Sequence, residues 1–301
     1  MSGSFRRERK VALIGEDLSD PEIKALVSLL DDEDTSIVSQ IESKILSLGK
    51  EVIPHLEKEW ESNFNPVVQR RIEDLIHTLQ YDLLRERLRE WYLTEEQDLL
   101  TGMWLVATYQ YPDLSLEKLR QDLEQIYYEA WLEFKPDLYA LDQVKVLNGV
   151  LFHKLKFGAN TKNFHSPGNS MINVVIESRK GNPITLCVIY LLVARKLKMP
   201  VYGVNLPNLF ILTYKDKQSQ FYINAFNRGL IFSRQDIENY IHELRLVPQD
   251  SFFGPTNNIE IIRRVFRNLV MAFEKMGEHA KAEEVKLLLI EISDGADLGL
   301  N

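Results

Sequence analysis

The sequence predicts a mostly helical α+β protein. Apolar residues recur at helical spacing almost without a break over residues 20–92. A strongly apolar helical stretch and three short strand candidates then occupy residues 183–226, and helical spacing returns over residues 258–292.

Taken in order, Pro21 after Asp20 forms an N-cap followed by proline at the first helical position, and Leu26, Leu29 and Leu30 make the first stripe. The acidic run at 31–34 breaks it. Ile37, Ile41, Ile45 and Leu48 carry a second stripe, closed by Gly49, and Ile53, Leu56 and Trp60 a third around Pro54. Beyond residues 63–66, Val68, Ile72, Leu75, Ile76 and Leu79 supply a fourth. Residues 99–109 and 116–132 read as helices separated by Tyr111-Pro112-Asp113, and a helix around 139–156 follows Pro136. Residues 157–173 are loop-like, with Gly158, Asn160, Asn163, Pro167, Gly168 and Asn169 in close succession. The apolar helix at 183–197 comes next. Strands are expected at 201–205, 210–214 and 221–226, the first pair parted by a proline turn and the second by the polar run 215–220. Met276-Gly277 marks a turn between the last two helices.

At 301 residues the chain is long enough for two domains, and 45% hydrophobic content supports ordinary cores. The formal charge of −8 and the lack of a basic block beyond residues 6–10, read as a solvated arm, argue against a nucleic-acid partner. The single cysteine, Cys187, excludes an intrachain disulfide and a multi-cysteine metal site, and fits a reducing cytosol. The apolar run at 11–15 is too short for a signal peptide, and no run approaches the roughly 18 residues of a membrane span. A cytoplasmic protein with no membrane association is expected. His55, His77, His153, His242 and His279 lie at no metal-ligand spacing, so no metal and no cofactor are expected.

The N-terminal helices and short turns resemble HEAT or armadillo-like repeats, with a plain bundle as the alternative. Further along, Pro167-Gly168-Asn169-Ser170-Met171-Ile172-Asn173-Val174-Val175 resembles the P-x-N-S-x-x-N-x-V signature of SirB1-type proteins, a branch of the transglutaminase-like, papain-related superfamily. Tyr111-Pro112-Asp113-Leu114, Leu147-Asn148-Gly149-Val150-Leu151-Phe152, Arg179-Lys180-Gly181-Asn182-Pro183-Ile184-Thr185-Leu186 and Gly203-Val204-Asn205-Leu206-Pro207 resemble further phrases of that family in the same order. Phe226-Asn227-Arg228-Gly229, Ser233-Arg234-Gln235-Asp236 and Arg263-Arg264-Val265-Phe266-Arg267-Asn268-Leu269 continue it, the last resembling a tetratricopeptide-like helix pair. The resemblance implies a helical region at 1–94, a core at 95–256 in which a central helix packs on a small antiparallel sheet, and a C-terminal helix pair at 257–292.

The resemblance also implies where a catalytic triad would stand. Acyl transfer of this kind needs a thiolate, a histidine that moves its proton, and an Asp or Asn that orients the histidine. Motif by motif, the cysteine position falls on Pro183, the histidine position on Leu209 in Pro207-Asn208-Leu209-Phe210, and the aspartate position on Asn224. Only Asn224 retains usable chemistry. Cys187, one turn beyond Pro183, is an alternative nucleophile with His165 as its base, but its apolar neighbours predict a buried thiol, and His165 beside Phe164 is expected to pack as an aromatic. Asn169 and Ser170 are expected to cap a helix starting near Met171. With Asn173, Asn208 and Asn227 they are candidates for the lining of a remnant cleft. The implied function is a catalytically inactive protein- or peptide-binding or scaffold module. The alternatives are a hydrolase or acyltransferase using Cys187 and a purely structural role in oligomerisation, with the oligomeric state open.

Overall fold

In the computed structural model, which describes residues 20–293, the four N-terminal stripes become four helices: α1 (Asp20–Val27), α2 (Thr35–Ser47), α3 (Ile53–Ser62) and α4 (Pro66–Leu93). The basic arm at 6–10 and the apolar run at 11–15 lie outside the described residues. The chain divides into two compact units, Met1–Leu83 and Leu84–Asn301.

In the first unit most of the apolar stripe residues meet, while Leu29, Ile37 and Trp60 stay exposed. Ile23, Val27, Leu30, Ile45, Leu56, Ile72 and Leu79 form one core, with Leu26, Ile41 and Ile76 packed against it. Asp34 caps α2 by accepting the Ser36 N–H at 2.8 Å. Gly49 adopts φ +71° just past that helix, where a side chain would be strained. Asp20 is the first helical residue rather than the cap, and its carboxylate pairs with His55 Nδ1 at 2.5 Å and Lys58 Nζ at 2.9 Å.

The second unit begins within α4, at Leu84, and continues with α5 (Leu99–Thr108), capped by Asp98, and α6 (Leu116–Trp131), capped by Ser115. α7 (Ala140–Asn148) continues into a π-helical turn, Gly149–Lys154, and β1 (Gly158–Ala159) follows. Within the expected loop the chain forms a 3-10 turn, Pro167–Ser170, and then α8 (Ile172–Ser178). β2 (Lys180–Gly181) pairs in parallel with β1 and leads directly into α9 (Pro183–Lys196). All eleven residues from Ile184 to Ala194 are buried, so α9 is apolar on every side because it is surrounded on every side.

Next come β3 (Val201–Leu206), β4 (Leu209–Lys215), β5 (Gln220–Asn224) and β6 (Leu230–Phe232), an antiparallel sheet in sequential order. The β3–β4 turn is Pro207-Asn208, with Asn208 at φ +59°, a conformation Asn tolerates better than most residues. The third expected strand stops at Asn224, whose side chain accepts the Asn227 N–H and turns the chain into a 3-10 segment, Ala225–Asn227. Ser233 and Asp236 form a capping box that starts α10 (Arg234–Glu243). The chain closes with α11 (Asn258–Lys275) and α12 (His279–Glu291), antiparallel helices joined at Gly277, φ +77°. The fold is thus α+β and mostly α, with a central helix on a small antiparallel sheet.

Because side chains alternate along a strand, the sheet has two distinct faces. Val204, Leu206, Ile211 and Tyr222 point to the face covered by Ile237 and Ile241 of α10 and by Phe253, and Leu209 packs into the same cluster. Phe210 and Leu212, one step out of phase, face the opposite way, where α9 lies.

Two long-range ties join distant segments of this unit. Asn148 Nδ2 donates to the Gly229 carbonyl at 2.9 Å, and Gly229 adopts φ +77° with an added Cβ only 2.3 Å from the Asn148 amide. Gly229→Ala is therefore expected to lower unfolding free energy by roughly 1–3 kcal/mol in chemical denaturation. Glu291 bridges Arg85 at 2.5 Å and Arg89 at 2.6 Å. Burial alone would raise its pKa, but the two guanidinium groups hold the carboxyl below its ordinary value. A depressed carboxylate stabilises the fold above its unfolded pKa, and that stability is lost as pH falls through the folded pKa. Glu291→Gln should therefore destabilise at neutral pH and flatten the acid limb of a stability-versus-pH curve below about pH 4.5, the ordinary glutamate range.

Candidate functional site

Where α9 begins, a cleft of about 300 Å³ opens between the loop that carries Phe164 and His165, the β3–β4 turn and α11. Its construction starts with Asn182. As N-cap of α9 it accepts the Thr185 N–H at 2.9 Å through Oδ1 and donates through Nδ2 to Ser170 Oγ at 3.0 Å. Pro183 occupies the first helical turn, where its missing N–H costs nothing and its fixed φ suits the helix. Asn182, Pro183 and Ile184 form the floor together with Ser170.

Asn169 fastens the loop above. Its amide donates to the Asn163 carbonyl at 2.7 Å and the Phe164 carbonyl at 2.9 Å, while Oδ1 accepts from Asn160 Nδ2 at 2.8 Å. The expected capping role for Asn169 and Ser170 therefore does not hold. α8 begins at Ile172 with Met171 at its N-cap and no side-chain cap, because the two polar residues are engaged in the preceding 3-10 turn. His165 is exposed on the cleft rim and stands edge-on to Phe164, ring centroids 5.2 Å apart. Across the cleft, Gly203 has no side chain because the Phe210 ring lies over it; an added Cβ would sit 2.7 Å from that ring.

α11 supplies the remaining wall through Arg264, Asn268 and Met271, one stripe at i, i+4 and i+7, with Ala272 beside it. Burial lowers the Arg264 pKa from the ordinary arginine value, the like charge of Arg267 acts in the same direction, and Tyr240 opposes it. These α11 residues were not among the sequence-based candidates. They lie beside the buried face of an amphipathic helix, where the sequence pattern alone does not distinguish a cleft wall from a solvent-facing flank.

Of the five cleft candidates, Ser170 and Asn208 line the cleft and three do not. Asn169 is buried behind the loop it ties, and Asn173 has its Oδ1 buried on α8 without a hydrogen-bond partner. Asn227 is exposed at the end of the 3-10 segment after β5, where its backbone N–H is held by Asn224. Among the described residues, no group of three or more His, Cys, Asp or Glu side chains is placed to hold a metal ion. No helix among them is long and apolar enough to cross a membrane.

The family model of the transglutaminase-like superfamily matches residues 117–267, half of the chain, and takes in the central helix, the sheet and the start of α11. The chain belongs to the transglutaminase-like superfamily. A UPF0162 protein of Xylella fastidiosa is 32% identical over 183 residues, 58% of this chain and 64% of that protein. A UPF0162 protein of Vibrio cholerae is 24% identical over 131 residues, 43% of this chain and 48% of that protein. F-box only protein 21 of Mus musculus is 28% identical over 139 residues, covering 44% of this chain but 22% of that protein. The chain therefore spans less than two thirds of the length of these relatives. No solved structure matches it.

Within this transglutaminase-like core, the three positions at which motif matching puts a triad do not converge. Pro183 is in the cleft floor, but neither Leu209 nor Asn224 is in the walls. Leu209 packs on the α10 face of the sheet, and Asn224 holds the Asn227 N–H with its Oδ1. The strand residue that reaches the cleft is Phe210, one step from Leu209, because the pleat sends neighbours to opposite faces. The alternative nucleophile is no closer to use. Cys187 is 0% exposed, and its thiol donates to the Phe210 carbonyl at 3.6 Å. Burial pushes that thiol well above its ordinary pKa, offset only in part by the Ala225 N–H.

Native protein should accordingly resist alkylation at Cys187. We expect iodoacetamide labelling at least about a hundredfold slower in buffer than in guanidinium, read by intact-mass spectrometry, since reaction requires opening of the core.

Proposed function

We propose that this chain is a non-catalytic binding or scaffold module of SirB1 type, acting in the cytoplasm on a protein or peptide partner. In this reading residues 1–94 are a HEAT-like helical region, 95–256 the transglutaminase-like core and 257–292 a tetratricopeptide-like helix pair, and helical surfaces of these kinds commonly bind peptides or proteins.

One observation carries the reading. The cleft at the start of the central helix has the location of an acyl-transfer site but no cysteine in its walls: a proline ring stands at the helix start, and the only cysteine is sealed one turn below. The same burial speaks against a hydrolase or acyltransferase built on Cys187. A thiol held protonated, hydrogen-bonded to a backbone carbonyl and separated from the exposed His165 lacks the thiolate that attack requires. General-base assistance alone is worth about 10²–10⁴ in rate, and His165, the one imidazole in the cleft walls, has no cysteine there to act on.

Assays of peptide hydrolysis and of glutamine-dependent amine transfer on the full chain should give no rate above background. Cys187→Ala should leave those traces unchanged. A measurable rate that Cys187→Ala abolishes would overturn the proposal.

A further inference from the structure

Among the described residues, Arg264 is the only Lys, Arg, Asp or Glu side chain in the cleft walls. Its one hydrogen bond is long, 3.4 Å to Asn205 Oδ1, and no carboxylate among the described residues lies within ion-pair distance of it. Its neighbour Arg263 is fully engaged by contrast, with Glu260 at 2.6 Å and the Ile292 carbonyl at 2.7 Å. A guanidinium that is partly withdrawn from water without a counter-ion is costly, and the cost is relieved when an anion docks against it.

The rest of the lining narrows the anion. The side-chain amides of Asn208 and Asn268 make no hydrogen bond among the described residues, so each has donors and an acceptor to offer. Phe164, Phe210, Ile184 and Met271 supply apolar surface beside them. A single cation, two free amides and an apolar wall match a chain terminus: one negative charge, the last peptide group and one apolar side chain. A phosphate dianion would bring two charges to one guanidinium. The volume, about 300 Å³, is at the small end of ligand pockets and suits one or two terminal residues.

We propose that the cleft captures the C-terminal carboxylate of a peptide or protein, with Arg264 as its cation and Asn208 and Asn268 holding the last peptide group. This deepens the reading of the cleft as a binding site and rests on it.

The test presents the full chain with a mixed-sequence pool of N-acetylated tetrapeptides bearing a free C-terminus. In parallel it presents the same pool C-terminally amidated, and an amidated pool with glutamate inside the sequence. Retained peptides are identified by mass spectrometry and titrated by calorimetry. Members of the free-acid pool should be retained, and amidation should weaken each by about tenfold or more, the scale of a charge-assisted hydrogen-bonded pair. Arg264→Gln should give a similar loss. Asn208→Asp, a change on an exposed turn that does not disturb the core, should weaken binding about tenfold through like-charge repulsion, and it keeps the test decisive if Arg264→Gln folds poorly. No retained peptide, equal retention of free and amidated pools, preference for the internal glutamate, or unchanged affinity in both variants would each overturn the assignment. Peptide cleavage or acyl-transfer products in the same samples would instead overturn the non-catalytic reading, while the amide-against-acid difference still decides whether the carboxylate is recognised.

Discussion

The second unit depends on the burial of α9 over its entire circumference. Eleven consecutive helical residues, Ile184–Ala194, with no solvent face must be enclosed by other elements, and a cleft opens where the helix begins. There Asn182 closes the helix and ties it to Ser170, while Pro183 removes one N–H that would otherwise need a partner. The cleft is where the packing around α9 ends. Its floor is therefore held by a buried helix and a buried amide, rigid support of the kind a recognition site requires.

The pleat of the sheet imposes the second constraint. Leu209 and Phe210 are adjacent in sequence, yet one packs under α10 and the other stands over Gly203 in the cleft wall. A substitution at 209 changes the α10 core, whereas one at 208 or 210 changes the cleft. Motif matching alone assigns position 209 to the catalytic side, because phrases of sequence carry no face. The register of β3 with β4 decides it, Asn205 opposite Phe210 and Leu206 opposite Leu209.

Most of the helical fold was legible: buried stripes leave a period in the four N-terminal helices and the final pair, and α9 shows itself as one long apolar run. α8 was hidden inside a stretch dense in Gly, Pro and Asn, where turn signals outweigh seven helical residues. α10 carried a readable signal, since Ser233 and Asp236 form a capping box ahead of Ile237 and Ile241, but that phrase served only as part of a family resemblance. For the cleft, Ser170 and Asn208 were legible through the family phrases in which they stand. Arg264 was not. A charged residue on an amphipathic helix ordinarily faces water, and only the tertiary placement of α11 turns this one into a wall.

Electrostatics connect the proposed absence of catalysis to the proposed binding. In a thiol enzyme of this architecture, the anion at the start of the central helix is the thiolate itself, stabilised by the positive end of the helix dipole. Here the corresponding ring of Pro183 is neutral, and the opposite wall adds a second positive element in Arg264. Arg267, on the same helix, has the same sign and lowers the Arg264 pKa further rather than balancing it. The helix N-terminus and Arg264 thus both present positive charge to the cleft, and no carboxylate among the described residues stands in its walls. An arginine selected only for solubility would extend into solvent, and one selected only for packing would be paired, as Arg263 is. A partly buried, unpaired guanidinium facing free amides is best accounted for by a guest that brings the negative charge with it.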